Sequence, residues 1–176
     1  MRSLTLVAVV AAAIAGIITA VFLFYVPTGS TVADTGDENK PAGSVTPSGN
    51  GYRQINVTAN GVQLVADIAS TGDQRSRGLA VKDSLADNQA MLFVFTKENN
   101  YGFWMYNMKF PIDIIWLDSN RQVVHIEHGL EPCDADSCPT YTPDAKALYV
   151  LETVSGFAKE HGIIEGMIIE FDTSKL

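Results

Sequence analysis

Few residues in this chain combine a reactive type with an unusual setting. Asp113 stands inside the apolar run Ile112-Asp113-Ile114-Ile115-Trp116-Leu117, and Glu152 closes the run Ala147-Leu148-Tyr149-Val150-Leu151. A carboxylate in such surroundings is hydrogen-bonded, paired or used. Two carboxyl groups roughly 5–10 Å apart around a glycosidic bond make a hydrolytic pair. Asp113 and Glu152 are therefore one candidate site, that of a hydrolase acting for example on glycans. Each also has a structural role open to it. Asp113 can tie down backbone N–H groups of a tight loop, and Glu152 can favour the positive end of a helix starting at Ser155.

A second candidate is a binding pocket. The stretch Phe103-Trp104-Met105-Tyr106-Asn107 precedes the Asp113 run, separated from it by Met108-Lys109-Phe110-Pro111. If 102–107 and 112–117 pair as a hairpin, period-two alternation places Trp104, Tyr106, Asp113 and Ile115 on one face. A carboxylate and a phenol would then hydrogen-bond a small polar ligand stacked on Trp104. The candidate ligand-binding residues are Trp104, Tyr106, Asn107, Asp113 and Glu152.

Met105, Met108, His125, His128, Cys133 and Cys138 are the soft and nitrogen ligands present, a set that would suit copper outside the cytoplasm. The spacing works against them. His125 and His128 are three apart, and in a strand that sends them to opposite faces. Methionine is more often a core filler. No metal or other cofactor is expected. Cys133 and Cys138, the two cysteines of the chain, flank Asp134-Ala135-Asp136-Ser137 and are expected to form an intraloop disulfide. That pairing requires an oxidising compartment. Asn56-Val57-Thr58 is a glycosylation acceptor pattern, meaningful only in an exported domain.

The elements that position these residues follow from the rest of the chain. Leu4 to Val26 is uncharged and about 23 residues long, enough to cross a hydrocarbon core. No Ala-x-Ala-like site follows it, so an uncleaved single-pass anchor is expected rather than a signal peptide. Arg2 before it and Asp34, Asp37 and Glu38 after it place the N-terminus in the cytoplasm and the remainder outside, by the positive-inside tendency. Residues 27–51 are rich in Gly, Ser, Thr, Pro and Asn and read as a tether. The folded domain is expected over residues 52–176. The formal net charge of −8 argues against a nucleic-acid partner. The membrane, through residues 4–26, and a small polar ligand or envelope protein are the expected partners.

Within the domain, Asn60-Gly61 between two β-prone runs predicts a hairpin of 52–58 with 62–68. Thr71-Gly72-Asp73-Gln74 predicts a capping box on a short helix that Gly78 stops. Strands are expected near 91–95, 102–107, 112–117, 122–128, 147–152 and 166–171. A second short helix is expected between Ser155 and Gly162, and an irregular loop over 129–144. Roughly eight short strands and two short helices predict a compact, mainly antiparallel, barrel-like β domain.

Residues 53–172 resemble the uncharacterised bacterial and archaeal family catalogued as domain of unknown function 192. The resemblance rests on Arg77-Gly78-Leu79, Met91-Leu92-Phe93-Val94-Phe95, Phe103-Trp104-Met105-Tyr106-Asn107 and Pro111-Ile112-Asp113-Ile114-Ile115-Trp116-Leu117-Asp118. It continues through Tyr149-Val150-Leu151-Glu152, Gly156, Gly162 and Gly166. It implies a small β-rich fold that is often exported or membrane-tethered, and it implies no particular activity. Ala80 and Lys82 stand where the family tends to have Met and Arg, Ala90 where it has Gly, Met108 where Thr is usual and Met167 where Asp is. No ligand role that needs that Arg, Thr or Asp is carried over.

Overall fold

The computed structural model describes residues 51–176. The anchor expected over 4–26 and the tether of 27–51, Gly51 excepted, lie outside the described residues. Among the described residues no helix is long and apolar enough to cross a membrane.

The first hairpin forms as its turn chemistry requires. Strands β1 (Arg53–Ala59) and β2 (Val62–Ala69) pair antiparallel with Ala59 opposite Val62. Asn60 and Gly61 both take positive φ, 48° and 83°, the conformation that matches the strand twist. Leu64, Ala66 and Ile68 are buried on one face. The capping box also forms. Thr71 Oγ1 accepts from Gln74 N (3.2 Å) and Gln74 Oε1 from Thr71 N (3.1 Å), starting α1 (Gly72–Arg77). Gly78, at φ 50°, ends it and leads into a single 3-10 turn, Gly78–Val81.

Four more strands complete one sheet: β3 (Gln89–Asn99), β4 (Ile112–Leu117), β5 (Val123–Leu130) and β6 (Ala147–Val154). Their order is β1-β2-β3-β6-β4-β5. Only β2 and β3 run parallel, joined by the crossover that contains α1; every other neighbour is antiparallel. The centre is thus β6, and it decides the fate of the expected 102–107 strand. Nearly every residue of β6 is buried, so it satisfies both β3 and β4 and leaves neither with a free edge for 102–107. That segment instead runs irregularly across the sheet. It is held by two hydrogen bonds between Phe103 and Tyr141 and by Cys133 N donating to Met105 O (3.3 Å). The hairpin expected between 102–107 and 112–117 does not exist.

Two further expectations are corrected. The segment 166–171 makes only single bridges, Ile168 with Gln122 and Glu170 with Thr58. The described fold is therefore a six-stranded mixed sheet that does not close into a barrel. The second helix, α2 (Phe157–Glu160), is capped not by Ser155 but by Gly156 at φ 91°. The Cys133–Cys138 disulfide is present, with Cα atoms 5.1 Å apart.

Both faces of the sheet are covered. One carries Leu64, Ile68, Leu92, Ile115 and Leu151 under α2 and the C-terminal segment. The other carries Met91, Phe93, Ile114, Trp116 and Val150 beneath Leu79, Leu85 and Met105 from the crossover and the irregular segment.

Candidate functional site

Strand register decides which carboxylate reaches a cavity. On β4 and β6, Asp113 pairs with Thr153 and Ile114 with Glu152. Successive pairs point to opposite faces. Asp113 therefore lies on the face covered by α2, and Glu152 on the face covered by the crossover. The two do not share a cleft, and the carboxylate pair proposed for a hydrolase is not formed.

Asp113 is fully buried and committed to structure. Its Oδ1 accepts from Gly129 N (2.8 Å) and Gly156 N (3.1 Å), and its Oδ2 from Ala158 N (2.9 Å). Opposite Asp113, β5 holds an extra residue between the Ile112–Leu130 and Ile114–Glu127 pairs. Gly129, at φ 59°, aims its N–H from this bulge. The carboxylate thus fastens the end of β5 and the start of α2 to β4. His128 Nδ1 approaches its Oδ2 only to 3.9 Å. The tying-down role anticipated for Asp113 is real, but the N–H groups belong to these elements and not to the 108–111 loop.

Glu152 has the opposite circumstances. It is 5% exposed, and its Oε2 accepts no hydrogen bond from the described residues. Its strand neighbours on either side are Met91 and Ile114. Burial in this setting pushes its carboxyl up from its ordinary value of 4.5 to about 8. Thr153 Oγ1 is also buried without a partner among the described residues, but it faces the packed side beside Asp113.

Glu152 lies at the bottom of a cleft of about 450 Å³. Phe93, Phe103 and Leu79 form its apolar walls, Trp104 and Tyr106 its aromatic rim, and Arg75 and Arg77 reach it from α1. Three of the five candidates named from sequence, Trp104, Tyr106 and Asn107, therefore meet a fourth, Glu152. Asp113, the fifth, is elsewhere. The expectation that Trp104 and Asp113 share a face fails with the hairpin it was built on.

The rim is arranged by aromatic contacts. Trp104, 57% exposed, lies 5.4 Å from Tyr106. Phe103 packs edge-on between Phe93 (4.9 Å) and Trp116 (5.9 Å), which anchors the segment that presents Trp104. Asn107, at φ 61°, supplies the left-handed turn after Tyr106, a conformation asparagine tolerates. A smaller groove of about 310 Å³ adjoins the cleft past Trp104, lined by the stacked pair Phe95 and Tyr101.

Neither arginine is among the site candidates read from sequence, although Arg77 belongs to the Arg77-Gly78-Leu79 motif. Arg75 donates to Val94 O (3.0 Å) and Ser70 O and lies over the Phe95 ring; Arg77 pairs with Asp73 (2.7 Å). The signal for them was present: two arginines in the last turn of a capped helix that a glycine stops, immediately before a crossover into a buried strand.

Lys82 contacts Asp67 Oδ2 at 2.9 Å, and Gln54 Nε2 donates to Asp67 Oδ1 at 2.8 Å, an ion pair with a buried carboxylate beside the crossover. Of the residues weighed as metal ligands, Met105 is buried in the core and both cysteines are in the disulfide. His125 lies against Trp116 with Nε2 3.2 Å from Glu127.

These features can be set beside known proteins. Over 111 residues the chain is 34% identical to a UPF0127 protein of Thermococcus gammatolerans, a match covering 62% of this chain and 67% of that one. It is 33% identical over 106 residues to the UPF0127 protein TK1120 of Thermococcus kodakarensis, covering 59% and 62%. The fold is similar to that of a crystallised protein of unknown function from Novosphingobium aromaticivorans. That match has a TM-score of 0.63 and 28% identity, covering 73% of this chain and 92% of the other. Residues 55–171 match the model of DUF192, described as an uncharacterized ACR, and the chain belongs to that family.

Proposed function

We propose that this protein is a membrane-tethered, extracytoplasmic binding module that takes a small polar ligand into the cleft above Glu152. One observation carries the reading: a buried carboxyl without a hydrogen-bond partner among the described residues opens onto an aromatic-walled cavity. Buried polar groups are otherwise almost always satisfied. A cleft of several hundred Å³ with aromatic and apolar walls and a few convergent polar groups is the usual form of a small-ligand site. Trp104 supplies a stacking surface and Glu152 a hydrogen-bonding floor. The membrane tether and the outside location rest on the apolar run 4–26 and its flanking charges. The disulfide agrees with an oxidising compartment.

The ligand site is tested by tryptophan fluorescence of the full chain titrated with sugars, cell-envelope fragments, amino acids and metal salts. Trp116 is buried, so Trp104→Phe isolates the signal that belongs to the rim. A saturable change in the wild type, lost in Trp104→Phe and weakened in Glu152→Gln, is the expected result. No saturable binding by any compound, or binding indifferent to both substitutions, overturns the reading. The topology is tested by adding protease to intact cells, where the domain is expected to be digested while it fractionates with membranes.

A further inference from the structure

Resting on that reading of the cleft, we infer that its ligand is a small zwitterion of the free amino-acid class, its ammonium group on Glu152 and its anionic group toward the arginines of α1. The cleft is chemically divided. Its floor is a carboxyl group with no hydrogen-bond partner among the described residues, one that a bound ligand can supply. Phe93, Phe103, Trp104 and Tyr106 also line the cleft, and aromatic rings favour a cation. Arg75 and Arg77 enter the same cleft from one side, in the last turn of α1. A simple cation would meet two guanidinium groups there, and a simple anion would meet aromatic rings and leave the Glu152 carboxyl unpaired. A molecule carrying both charges matches both ends.

The arginines can serve without dismantling the fold. Arg77 and Asp73 are largely exposed, with side chains 49% and 77% accessible, so their ion pair contributes little and exchanges readily. Arg75 is held in place by two carbonyls, and a guanidinium has five donors to distribute. A sugar fits less well. Ring hydroxyls call for polar groups on several sides, whereas the uncharged polar groups on the lining are few: Ser76, Asn107, the Tyr106 phenol and the Trp104 indole N–H.

Proton accounting makes the inference sharp. The titratable groups sharing the cleft with Glu152 are Arg75, Arg77 and Tyr106, and its flanking neighbours on β3 and β4 are apolar. Glu152 is mostly neutral at pH 7 in the free protein. An ammonium ion placed against it favours the carboxylate, so binding expels a proton. A hydroxyl in the same place leaves the acid protonated.

The test is calorimetric titration of the full chain with the twenty free amino acids at pH 7, in two buffers of different ionisation enthalpy. The tightest binder is then compared with its 2-hydroxy acid, which replaces the ammonium by a hydroxyl of similar size. At least one amino acid is expected to bind with release of close to one proton, and its hydroxy acid to bind at least tenfold more weakly. Glu152→Gln is expected to lose at least tenfold and the proton release; Arg77→Gln is expected to lose less. Equal binding of the hydroxy acid, absence of proton release, or full affinity in Glu152→Gln overturns the inference. The comparison of the two ligands uses the wild-type protein, so it decides the matter even if a variant misfolds. If sugars bind at Trp104 and no amino acid does, the binding module stands and the zwitterion falls. If nothing binds, both fall.

Discussion

Asp113 and Glu152 stand on adjacent strands, one pair apart in register, and both are buried. On the α2 face, Asp113 accepts three backbone N–H groups and locks three elements together. On the crossover face, Glu152 Oε2 accepts nothing from the described residues and meets a cavity. Two carboxylates of similar appearance in the sequence thus have opposite relations to stability. One contributes to it, and the other lowers it at neutral pH. A buried acid on this sheet marks a site only where the surrounding chain fails to satisfy it.

The comparison can be broken most decisively at Asp113. Asp113→Ala leaves three N–H groups buried without an acceptor, at about 1–3 kcal/mol each. The expected loss is about 5 kcal/mol, read as a fall in the urea midpoint with the slope unchanged. A loss below about 1 kcal/mol would show that the N–H groups find other partners.

Glu152 should behave with the opposite sign. Its folded-state pKa is raised from 4.5 to about 8, so across that window the unfolded chain has given up a proton that the folded chain keeps. The contribution of Glu152 to stability is greatest below about pH 4.5, falls as the pH rises, and levels off above about pH 8. The fall attributable to this residue across that whole window is on the order of 5 kcal/mol. Glu152→Gln should remove that part of the slope and unfold at a higher urea concentration than wild type at pH 8. Identical pH profiles for the two proteins would place Glu152 in contact with solvent or a cation.

Two smaller effects sharpen the contrast from the cleft side. Cys133 N bonds to Met105 O, one residue from Trp104, so the disulfide steadies the rim. Closing a six-residue loop contributes about 2 kcal/mol on the chain-entropy estimate. Reduction should cost that much, with faster amide exchange over 101–108 but not over β4. Alkylation with mass measurement, before and after reduction, checks that the bond exists in the native protein. Gly102→Ala should cost about 1–2 kcal/mol by crowding, because a Cβ there would lie 2.6 Å from Thr140 Cγ2. Its signature should be a change in Trp104 fluorescence with the Asp113 region undisturbed.

What could be read from sequence was what local chemistry determines. Asn60-Gly61 set the first hairpin, and Thr71 with Gln74 set α1, because each involves groups within a few residues. Strand pairing is a competition between distant edges, and there the reading failed. Phe103-Trp104-Met105-Tyr106 has the composition of a strand, yet β-propensity reflects fit to a half-buried surface and not a commitment to a ladder. Those aromatics serve the cleft from an irregular segment. Once β6 replaced 102–107 as the neighbour of β4, the expected partners of Asp113 changed and its pocket vanished. Glu152, Trp104, Tyr106 and Asn107 line one cleft, but what joins them is the crossover, which no period in the sequence announces.

The place of β6 has a consequence for how the molecule comes into being. Chains emerge N-terminus first, at about 5–20 residues per second. Until residues 147–154 appear, β3 and β4 have no partner between them, and the β1-β2-β3 and β4-β5 groups each expose an open strand edge. Such edges pair readily with the wrong chain. The half-made domain is therefore at its most vulnerable to misassembly just before its middle strand arrives. A chaperone or other factor that keeps it extended until then would protect it, and the cleft gains its floor only when β6 brings Glu152 into place.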